Sequence, residues 1–333
     1  MIFIDGIVYS LQKSGGVSVY FDEIVKEVER KSMPYELLLH HDDASKDNTL
    51  VRPPRFQERY RDVTASPEAS VFISSYYRRV SKPQIPSVVV VHDFVYEACL
   101  YGPRVTVHKW QKYRAIRAAS EIICISEATR QDLFKYFGKP SGNVHVIHNG
   151  ASDIFHPQSP IEEHDGYVLF VGKRGLYKNF SLLVEAMAQL PGLDLVCVGG
   201  EPWSDKERAD TEAAIHGNLS IQQGISTEAL AELYDRATAL VYPSLYEGFG
   251  IPVLEAMRAG CPAIAVNCRA VREAGGEALV VAENNTAREI ADHVRRMTGP
   301  DRRATVQAGL VHSRKFSWSK CSAAVVEILS RYL

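Results

Sequence analysis

The stretch ATALVYPSLYEGFGIPVLEAMRAGCPAIAVN, residues 237–267, decides the fold because it contains a strand, a helix and a second strand in order. The apolar runs ATALVYP and PAIAVN at its two ends are predicted strands, and residues 252–259 are a predicted helix. Pro252 suits the first turn of that helix, where its missing N–H is harmless, and Gly260 suits the position just after the helix ends. This order predicts two parallel strands joined by a helix.

The same alternation of strands and helices runs along the chain and predicts an α/β protein built from parallel sheets. The predicted strands are 1–5, 88–93, 121–126, 144–149, 167–172, 193–199, 237–243 and 262–267. The predicted helices are 17–30, 104–119, 127–137, 179–189, 226–236, 252–259 and 286–297. Several strands are almost continuously apolar, which indicates that helices cover both faces of each sheet.

The length of 333 residues fits about two domains. The segment HPQSPIEEHDG at 156–166 is rich in proline and charge, and it predicts a linker between two similar Rossmann-like domains over residues 1–160 and 161–315. Ligands of open parallel sheets bind beyond the carboxyl ends of the strands. We therefore expect the chemistry in the loops that follow strands, at a cleft between the domains.

Composition excludes several classes of protein. Lys and Arg total 38 against 40 Asp and Glu, and the resulting net charge of −2 argues against a general nucleic-acid binder. Six cysteines without a C-x-x-C pair indicate reduced thiols. The N-terminus has no basic leader, and no run approaches the roughly 18 apolar residues of a membrane span. We expect a cytoplasmic protein.

Two glutamates, Glu247 and Glu255, stand in an otherwise apolar segment with seven residues between them. Burial of a carboxylate costs several kcal/mol unless the group is paired or hydrogen-bonded. Carboxylates bind paired hydroxyls well, and the amides of the intervening Gly-Phe-Gly turn suit phosphate or sugar oxygens. The alternative is a structural ion pair between Glu255 and an arginine such as Arg258 or Arg269.

The segment VGKRGLYKNF places Lys173, Arg174 and Lys178 directly after a predicted strand. Their position favours phosphate binding over a merely solvated surface. A cation about 4 Å from an anion contributes about 4 kcal/mol at an effective dielectric constant of about 20. A helix end contributes only about 0.3–1 kcal/mol, so the side chains should dominate the binding of a diphosphate. Asn179 is predicted to cap the next helix.

Two further post-strand loops carry candidate residues. Gly15 and Gly16 precede a predicted helix, where glycine lets backbone N–H groups approach an anion; the alternative is a flexible loop before an ordinary helix. The G-x-G-x-x-G fingerprint of nicotinamide enzymes is absent. His92 and Asp93 end the strand VVVVHD, where a structural role, with Asp93 as a cap and His92 bonded to the backbone, is the alternative. No third ligand has metal spacing, so no metal site is predicted.

The segment SLYEGFGIPVLEAMRAGCPAIA resembles the E-x7-E motif of the retaining glycosyltransferase family 4, whose fold is GT-B. The blocks SGG, VHDFVYE, CISEATRQDL, VIHNGASDIFHP and VGKRGLYKNFSLLVEAM are similar to further family motifs and occur in the family's order. The resemblance implies two Rossmann-like domains that face a cleft. It also implies that a final helix, residues 316–333, crosses back to the first domain.

The resemblance implies a role for each matched residue. Glu255 would bind the ribose hydroxyls of a nucleotide-sugar, and Glu247 would hold the hydroxyls of the sugar. Arg174 and Lys178 would neutralise the diphosphate, although many members place the arginine where Lys173 stands. Further contacts with donor or acceptor are implied for Gly15, Gly16, His92, Gly248, Phe249 and Gly250.

The function that this resemblance implies is transfer of a hexose from a nucleoside-diphosphate sugar to a glycan or lipid-linked glycan, with retention of anomeric configuration. Similarity to bacterial polysaccharide mannosyltransferases favours GDP-mannose as the donor, followed by a UDP-hexose. The departing phosphate would help to deprotonate the acceptor hydroxyl, with no metal and no other cofactor. The alternatives are a GT-B-fold sugar-nucleotide epimerase and a non-catalytic scaffold.

The predicted helix RVTVHKWQKYRAIRAA, residues 104–119, is basic with apolar residues interleaved. Such a helix suits the surface of an anionic membrane, and the alternative is a solvated face with a buried stripe. If the helix binds such a surface, the cytoplasmic protein is expected to be peripheral at the inner face of the membrane.

Overall fold

Two compact units make up the chain. The computed structural model describes residues 1–12, 15–40 and 48–333. The first unit combines residues 1–150 with residues 318–333, and the second comprises residues 151–317. The segment 156–166, which was predicted as a linker, lies inside the second unit.

A seven-stranded parallel sheet forms the first unit. Its strands are β1 Ile2–Asp5, β2 Tyr35–Leu39, β3 Thr49–Val51, β4 Val71–Ser74, β5 Ser87–Val91, β6 Glu121–Cys124 and β7 Asn143–Val146. Their order in the sheet is β3-β2-β1-β4-β5-β6-β7. In register, Ile2 lies opposite Tyr35 on one side and Val71 on the other. The strand order reverses direction at β1, as in doubly wound folds.

The helices of the first unit cover this sheet. They are α1 Val8–Leu11, α2 Gly16–Arg30, α3 Val95–Ala98, α4 Pro103–Ala118, α5 Glu127–Tyr136 and the last helix of the chain, α13 Trp318–Ser330, with a 3₁₀ turn at Glu58–Tyr60. The ring of Trp318 meets the ring of Tyr20 edge-on at 6.2 Å, and the Tyr332 hydroxyl donates to Glu121 at 2.6 Å. These contacts attach the C-terminal helix to the first unit.

A six-stranded parallel sheet forms the second unit. Its strands are β8 Tyr167–Val171, β9 Asp194–Val198, β10 Leu219–Gln222, β11 Ala239–Tyr242, β12 Ala263–Val266 and β13 Val280–Ala282, and their order is β10-β9-β8-β11-β12-β13. Its helices are α6 Phe180–Met187, α7 Asp205–Ala214, α8 Thr227–Arg236, α9 Ile251–Arg258, α10 Arg269–Gly275, α11 Ala287–Met297 and α12 Asp301–Ser313. Short 3₁₀ turns occupy Leu176–Lys178 and Gly276–Ala278.

Both faces of the second sheet are covered, as the apolar strands predict. Tyr167 and Leu169 of β8 pack on one face with residues of α8 and α9. Val168 and Phe170 pack on the other face with residues of α6 and α11. Because successive strand residues point to opposite faces, a strand buried on both sides reads as a continuous apolar run.

Each predicted strand and helix is present, and its ends differ from the prediction by at most three residues. Several short or polar elements escaped prediction, namely β2, β3, β4, β10, β13, α1, α3, α7, α10 and α12. The helix α7, for example, has the sequence DKERADTEAA, which has almost no apolar periodicity. The strand β4 is missed although it is fully buried, because its four residues are too few to show a period.

The helix α4 carries part of its aromatic content on the surface. Trp110 is 52% exposed, and its ring lies 4.7 Å from the guanidinium carbon of Arg114. The neighbouring Val107 is also exposed. None of the helices formed by the described residues is long and apolar enough to cross a bilayer.

The helix α9 begins and ends as its sequence predicts. Pro252 lies in the first turn, and Gly260 follows the helix with a φ of 80°. The N–H of Cys261 donates to Ala256 O at 2.8 Å, and that of Gly260 donates to Met257 O at 3.3 Å. This pair of hydrogen bonds is the Schellman motif, which requires a left-handed residue at the position of Gly260.

Gly260→Ala should destabilise the protein by about 1–2 kcal/mol, because alanine is strained at a positive φ. A Cβ at Gly260 would also lie 3.2 Å from Pro157 Cγ. The measurement is the urea midpoint of unfolding. Gly299→Ala is the control, since the nearest atom to a Cβ there is 3.7 Å away. Equal midpoints for the two variants would contradict this account of the helix end.

Candidate functional site

An ion pair joins the loops that follow two adjacent strands, β8 and β11. Lys178 Nζ lies 2.5 Å from Glu247 Oε1, and the two side chains are 13% and 14% exposed. The Lys178 ammonium also donates to the Tyr242 hydroxyl at 3.2 Å. The structure therefore brings together two predicted site residues that are 69 positions apart in sequence.

Tyr242 was not among the predicted site residues. It ends β11, it is buried, and burial together with the charge of Glu247 raises its pKa well above the ordinary value. Its hydroxyl is therefore neutral and accepts the hydrogen bond from Lys178. The N–H of Leu245 donates to Tyr177 O at 2.8 Å, so the two post-strand loops are also joined by their backbones. The sequence did contain a signal for this residue, because Tyr242 is the last strand residue before the loop that carries Glu247.

Arg174 is held by a cage of neighbours within the second unit. Its guanidinium donates to Glu207 at 2.7 Å, to Glu201 O at 2.6 Å and to Gly199 O at 3.5 Å. Its guanidinium carbon lies 4.1 Å from the centre of the Trp203 ring. With these contacts the Arg174 side chain is only 6% exposed, and it fastens the loop after β9 to the loop after β8.

The adjacent Lys173 has a different environment. Its side chain is 69% exposed, and its ammonium lies 3.2 Å from a carboxylate oxygen of Glu201. Gly200 packs against the cage, because a Cβ there would lie 2.8 Å from Arg174 Nη1 and its φ is 80°. The two neighbouring cations therefore differ in environment. The Arg174 side chain is almost fully buried and holds a loop, whereas Lys173 faces solvent.

Glu255 is a partly buried carboxyl on α9 with a phenol as its partner. The Tyr234 hydroxyl donates to Glu255 Oε2 at 3.1 Å. Burial raises the pKa of Glu255 to about 7, and the Tyr234 hydrogen bond opposes that rise. Among the described residues no cation pairs with Glu255, and Arg258 instead donates to Ala151 O and pairs with Asp153. The proposed structural pair of Glu255 with Arg258 is therefore wrong.

The Gly248-Phe249-Gly250 turn leads into α9. Gly250 is the residue before the helix and has a φ of 136°, which strongly favours glycine. The Phe249 ring is buried and meets the Phe316 ring at 5.7 Å. The turn is thus anchored by a buried aromatic side chain, and its backbone leads directly to the helix that carries Glu255.

The predicted cap at Asn179 is wrong. Asn179 precedes α6 with a φ of 52°, and its side chain makes no capping hydrogen bond. The left-handed backbone positions its side chain differently from that of an ordinary cap, which is extended. By contrast Ser126 caps α5 with an extended backbone and a side chain that accepts from Thr129 N.

Gly15 and Gly16 belong to the first unit. Gly16 is the first residue of α2, and Gly15 precedes it with an extended backbone, φ 165°. That backbone is available to any residue, so the loop does not need glycine at Gly15 for conformational reasons. Ser14 of the SGG motif lies outside the described residues.

His92 also belongs to the first unit and packs edge-on against Tyr20 of α2, with ring centroids 5.3 Å apart. Burial lowers the pKa of His92 to about 4, so the imidazole is neutral near pH 7. Its Nε2 atom is buried with no hydrogen-bond partner in the part of the chain that the structure describes. Asp93 accepts from Val95 N at 3.0 Å, which is the structural role weighed as the alternative for this residue.

No group of three or more His, Cys, Asp or Glu side chains within the described ranges is arranged to hold a metal ion. The second unit also contains lysine and arginine side chains that can attract an anion. Of these, Lys178 lies beside the loop that carries Glu247, and Lys173 lies beside the loop after β9.

Two family models match successive parts of the chain. The model of the glycosyl transferases group 1 matches residues 151–304, and that of glycosyltransferase family 4 matches residues 63–153. The first match covers nearly the whole second unit, which contains Lys178, Glu247 and Glu255.

Curated relatives are 25% to 28% identical to this chain over the aligned regions. O-antigen chain mannosyltransferase B of Escherichia coli is 28% identical over 72% of this chain and 69% of the relative. A D-inositol 3-phosphate glycosyltransferase of Mycolicibacterium smegmatis is 26% identical over 66% of this chain and 54% of the relative. Alignments with further curated relatives span 51% to 58% of their lengths, so the chain spans about half of those proteins.

Solved structures share the fold over the whole chain. Sucrose-phosphate synthase from Thermosynechococcus elongatus has a TM-score of 0.79 at 18% identity and covers 99% of this chain and 98% of its own. HepE from Anabaena, solved in complex with UDP-glucose, has a TM-score of 0.76 at 17% identity and covers 99% of each chain. The predicted α/β architecture of the GT-B type, with two parallel sheets, is confirmed.

Glu255→Gln should stabilise the protein at high pH. Because the pKa of Glu255 is raised from 4.5 to about 7, the folded state binds more protons than the unfolded state in that window, and the wild type loses stability as pH rises through it. The variant has no such loss and should gain about 3 kcal/mol on the wild type between about pH 4.5 and about pH 8.

Urea unfolding across this pH range measures the effect. Glu212→Gln, on the surface of α7 where Glu212 pairs with Arg208, is the matched control. If the stability difference between Glu255→Gln and the wild type did not change with pH, the buried state of this carboxyl would be contradicted.

Proposed function

Because the chain belongs to glycosyltransferase family 4, we propose that it is a retaining hexosyltransferase that uses a nucleoside-diphosphate sugar. The observation that carries the proposal is the contact of Lys178 with Glu247 and Tyr242 in the same unit as the Glu255–Tyr234 pair. A cation, a carboxylate and a second carboxylate suit the three parts of such a donor, namely diphosphate, sugar and ribose.

Lys178 is the proposed partner of the diphosphate. A bound diphosphate would compete with Glu247 for the ammonium, and the freed Glu247 carboxylate would accept hydroxyls of the sugar. The attraction between the Lys178 ammonium and the diphosphate would be substantial, because a cation about 4 Å from a phosphate contributes about 4 kcal/mol at an effective dielectric constant of about 20. The unligated ion pair keeps both groups ordered, so little reorganisation is needed when the donor binds.

Lys173 is the proposed second cation, and Arg174 is proposed to hold its loop. Lys173 is exposed, whereas the Arg174 guanidinium already donates to Glu207 and to two backbone carbonyls. Removal of Arg174 from this cage would leave Glu207 without a partner and the loop after β9 unfastened. The amides of Phe249 and Gly250, with Gly248, are proposed to complete the donor site.

The proposed reaction is a group transfer that involves no oxidation or reduction. The bond between the anomeric carbon and the diphosphate oxygen breaks, and a bond forms from the acceptor oxygen to the same face of that carbon. The proton of the acceptor hydroxyl passes to the departing phosphate, and a nucleoside diphosphate is released. Charge accumulates on the leaving phosphate, where the Lys178 ammonium can stabilise it.

GDP-mannose is the first donor proposed, and a glycan or lipid-linked glycan is the proposed acceptor. The similarity to an O-antigen chain mannosyltransferase supports both choices. A UDP-hexose is the second candidate, supported by the UDP-glucose complex of HepE. Gly15, Gly16 and His92 of the first unit are proposed to contact the acceptor or the donor sugar, and the neutral imidazole suits hydrogen bonding to hydroxyls.

An anionic membrane surface is proposed as a partner of the first unit. The basic-aromatic surface consists of exposed residues on and near α4 and in the loop between β3 and β4, namely Phe56, Arg61, Tyr101, Arg104, Val107, Trp110 and Arg117. Gln111 of α4 donates to Arg59 O, and Arg114 pairs with Asp62, so the loop is fastened to the helix. Exposed aromatic rings beside arginines suit the boundary of anionic headgroups and acyl chains.

The double variant Arg104→Glu/Arg117→Glu should bind anionic vesicles about 10-fold or more weakly, since each basic residue near such a surface contributes about 1 kcal/mol. Co-sedimentation with phosphatidylcholine vesicles, with and without phosphatidylglycerol, measures this. Lys206→Glu/Arg288→Glu, an equal charge change on exposed residues of the second unit, is the control. Equal loss in both double variants, or binding that ignores phosphatidylglycerol, would refute the surface.

A cytoplasmic location is proposed with this surface at the inner face of the membrane. The six cysteines are all free thiols, and five of them are buried. Reduced thiols in a protein of this size are typical of a reducing compartment.

Lys178→Ala should lower kcat/KM for the donor by about 100- to 1000-fold, as the loss of one preorganised donor does. A panel of GDP- and UDP-sugars, with product release followed in the presence of a glycan acceptor, identifies the donor and measures the loss. Lys206→Ala is the control, because its ammonium is exposed and pairs with Asp210.

The same assay separates the rival functions. Conversion of the donor sugar to its epimer without acceptor would identify an epimerase, and failure to bind any sugar nucleotide would identify a scaffold. An anomeric configuration in the product opposite to that of the donor would contradict retention. Activity of Lys178→Ala within a few-fold of the wild type would dispose of the role given to Lys178.

A further inference from the structure

A buried tyrosine of the second unit has a hydroxyl directed at one of the site carboxylates. Tyr234 lies in the last turn of α8, is fully buried, and meets the Phe155 ring edge-on at 5.7 Å. Its hydroxyl donates to Glu255 Oε2 at 3.1 Å. A phenylalanine would fill the same apolar space, so packing alone does not explain the hydroxyl.

We infer that Tyr234 is a positioning residue for the donor nucleotide. Its phenol holds Glu255 Oε2, and Glu255 Oε1, which has no hydrogen-bond partner among the described residues, remains to accept the ribose hydroxyls. This inference rests on the proposed function, in which Glu255 binds ribose. Tyr234 itself touches the carboxylate and not the nucleotide.

The groups around Glu255 leave Tyr234 as its main polar partner. The elements packed against α9 carry these titratable groups: Tyr234, Asp235 and Arg236 on α8, Tyr242 on β11, Cys261 and Cys268 beside β12, Arg269, Arg272 and Glu273 on α10, and Arg302 and His312 on α12, together with the exposed Glu228 and Glu232 of α8 and Asp301 and Arg303 of α12. Five of these groups have partners other than Glu255: Asp235 accepts from Gln158 N, Arg236 pairs with Asp165, Arg272 pairs with Glu283, Arg302 donates to backbone carbonyls, and His312 contacts Ala274 O. Burial and the Tyr234 hydrogen bond are the effects that set the Glu255 pKa.

The hydroxyl of Tyr234 favours the charged form of Glu255, whereas burial favours the protonated form. Ribose hydroxyls donate to a carboxylate better than to a carboxylic acid, so the charged form is the one that binds nucleotide. Loss of the Tyr234 hydroxyl should therefore raise the pKa of Glu255 further. Nucleotide affinity should then fall most at low and neutral pH and recover at high pH, where Glu255 is charged in either protein.

The matched control is a second buried phenol of the same unit. The Tyr167 hydroxyl donates to Leu233 O at 2.7 Å, and that carbonyl belongs to the residue next to Tyr234. Tyr167→Phe thus removes a buried tyrosine hydroxyl bonded to the same helix without touching Glu255. Any general loosening of α8 should affect both variants.

The test is isothermal titration of the full chain with GDP and with UDP from about pH 6 to about pH 9. For Tyr234→Phe, Kd should rise about 10-fold relative to wild type near pH 6 and about two-fold or less near pH 9, as expected for the loss of one hydrogen bond to a charged group. For Tyr167→Phe the ratio to wild type should not change with pH. Because each value is a ratio to wild type, ionisation of the nucleotide cancels.

The outcomes separate this inference from the proposed function. A ratio for Tyr234→Phe that is constant across pH would overturn the positioning role and leave the donor site standing. Absence of GDP and UDP binding by the wild type at every pH would overturn the proposed function and this inference with it. If Tyr234→Phe does not fold, Glu255→Gln decides: its ratio to wild type should grow as pH rises through the Glu255 titration, and a constant ratio refutes the inference.

Discussion

The ion pair of Lys178 and Glu247 is the interaction on which the proposed site depends. It joins the loops after β8 and β11, which are neighbours in the second sheet, at a separation of 2.5 Å. Partial burial of two charges carries a desolvation cost that the pair's attraction only partly offsets, so such a pair is weak evidence for stability. Its position at the carboxyl ends of parallel strands, where ligands of these folds bind, makes a role in binding the better explanation.

Two buried tyrosine hydroxyls contact charged side chains of the proposed site. Tyr242 links to Lys178, Tyr234 links to Glu255, and Tyr242 is among the groups that raise the Tyr234 pKa. Each phenol comes from a buried, well-packed position and presents one hydroxyl to a charged group. The apolar core thereby fixes the direction of the charged side chains, which is the preorganisation that electrostatic catalysis requires. The cost is visible at Glu255, whose carboxyl is held where its charged form is disfavoured.

The sequence predicts the fold and the site to different depths. Continuous apolar strands such as those around Val168 and Leu240 identify parallel sheets, because both of their faces are buried. The two glutamates are found because a carboxylate in an otherwise apolar segment is costly to bury without a partner, and Lys178 is found because it follows a predicted strand. The Arg174 cage is not found, since its partner Glu207 is 33 residues away on a helix without apolar periodicity. The sequence does not identify Tyr234 and Tyr242 either, because their roles depend on which side chain each hydroxyl contacts in the folded protein.

The most direct test of this account is a crystal structure of the full chain with GDP or UDP bound. The account predicts that the β-phosphate lies about 3 Å from Lys178 Nζ, that the Lys178–Glu247 contact is broken, and that a ribose hydroxyl donates to Glu255 Oε1. A nucleotide bound elsewhere, with the ion pair intact and Glu255 bonded to Tyr234 alone, would contradict it.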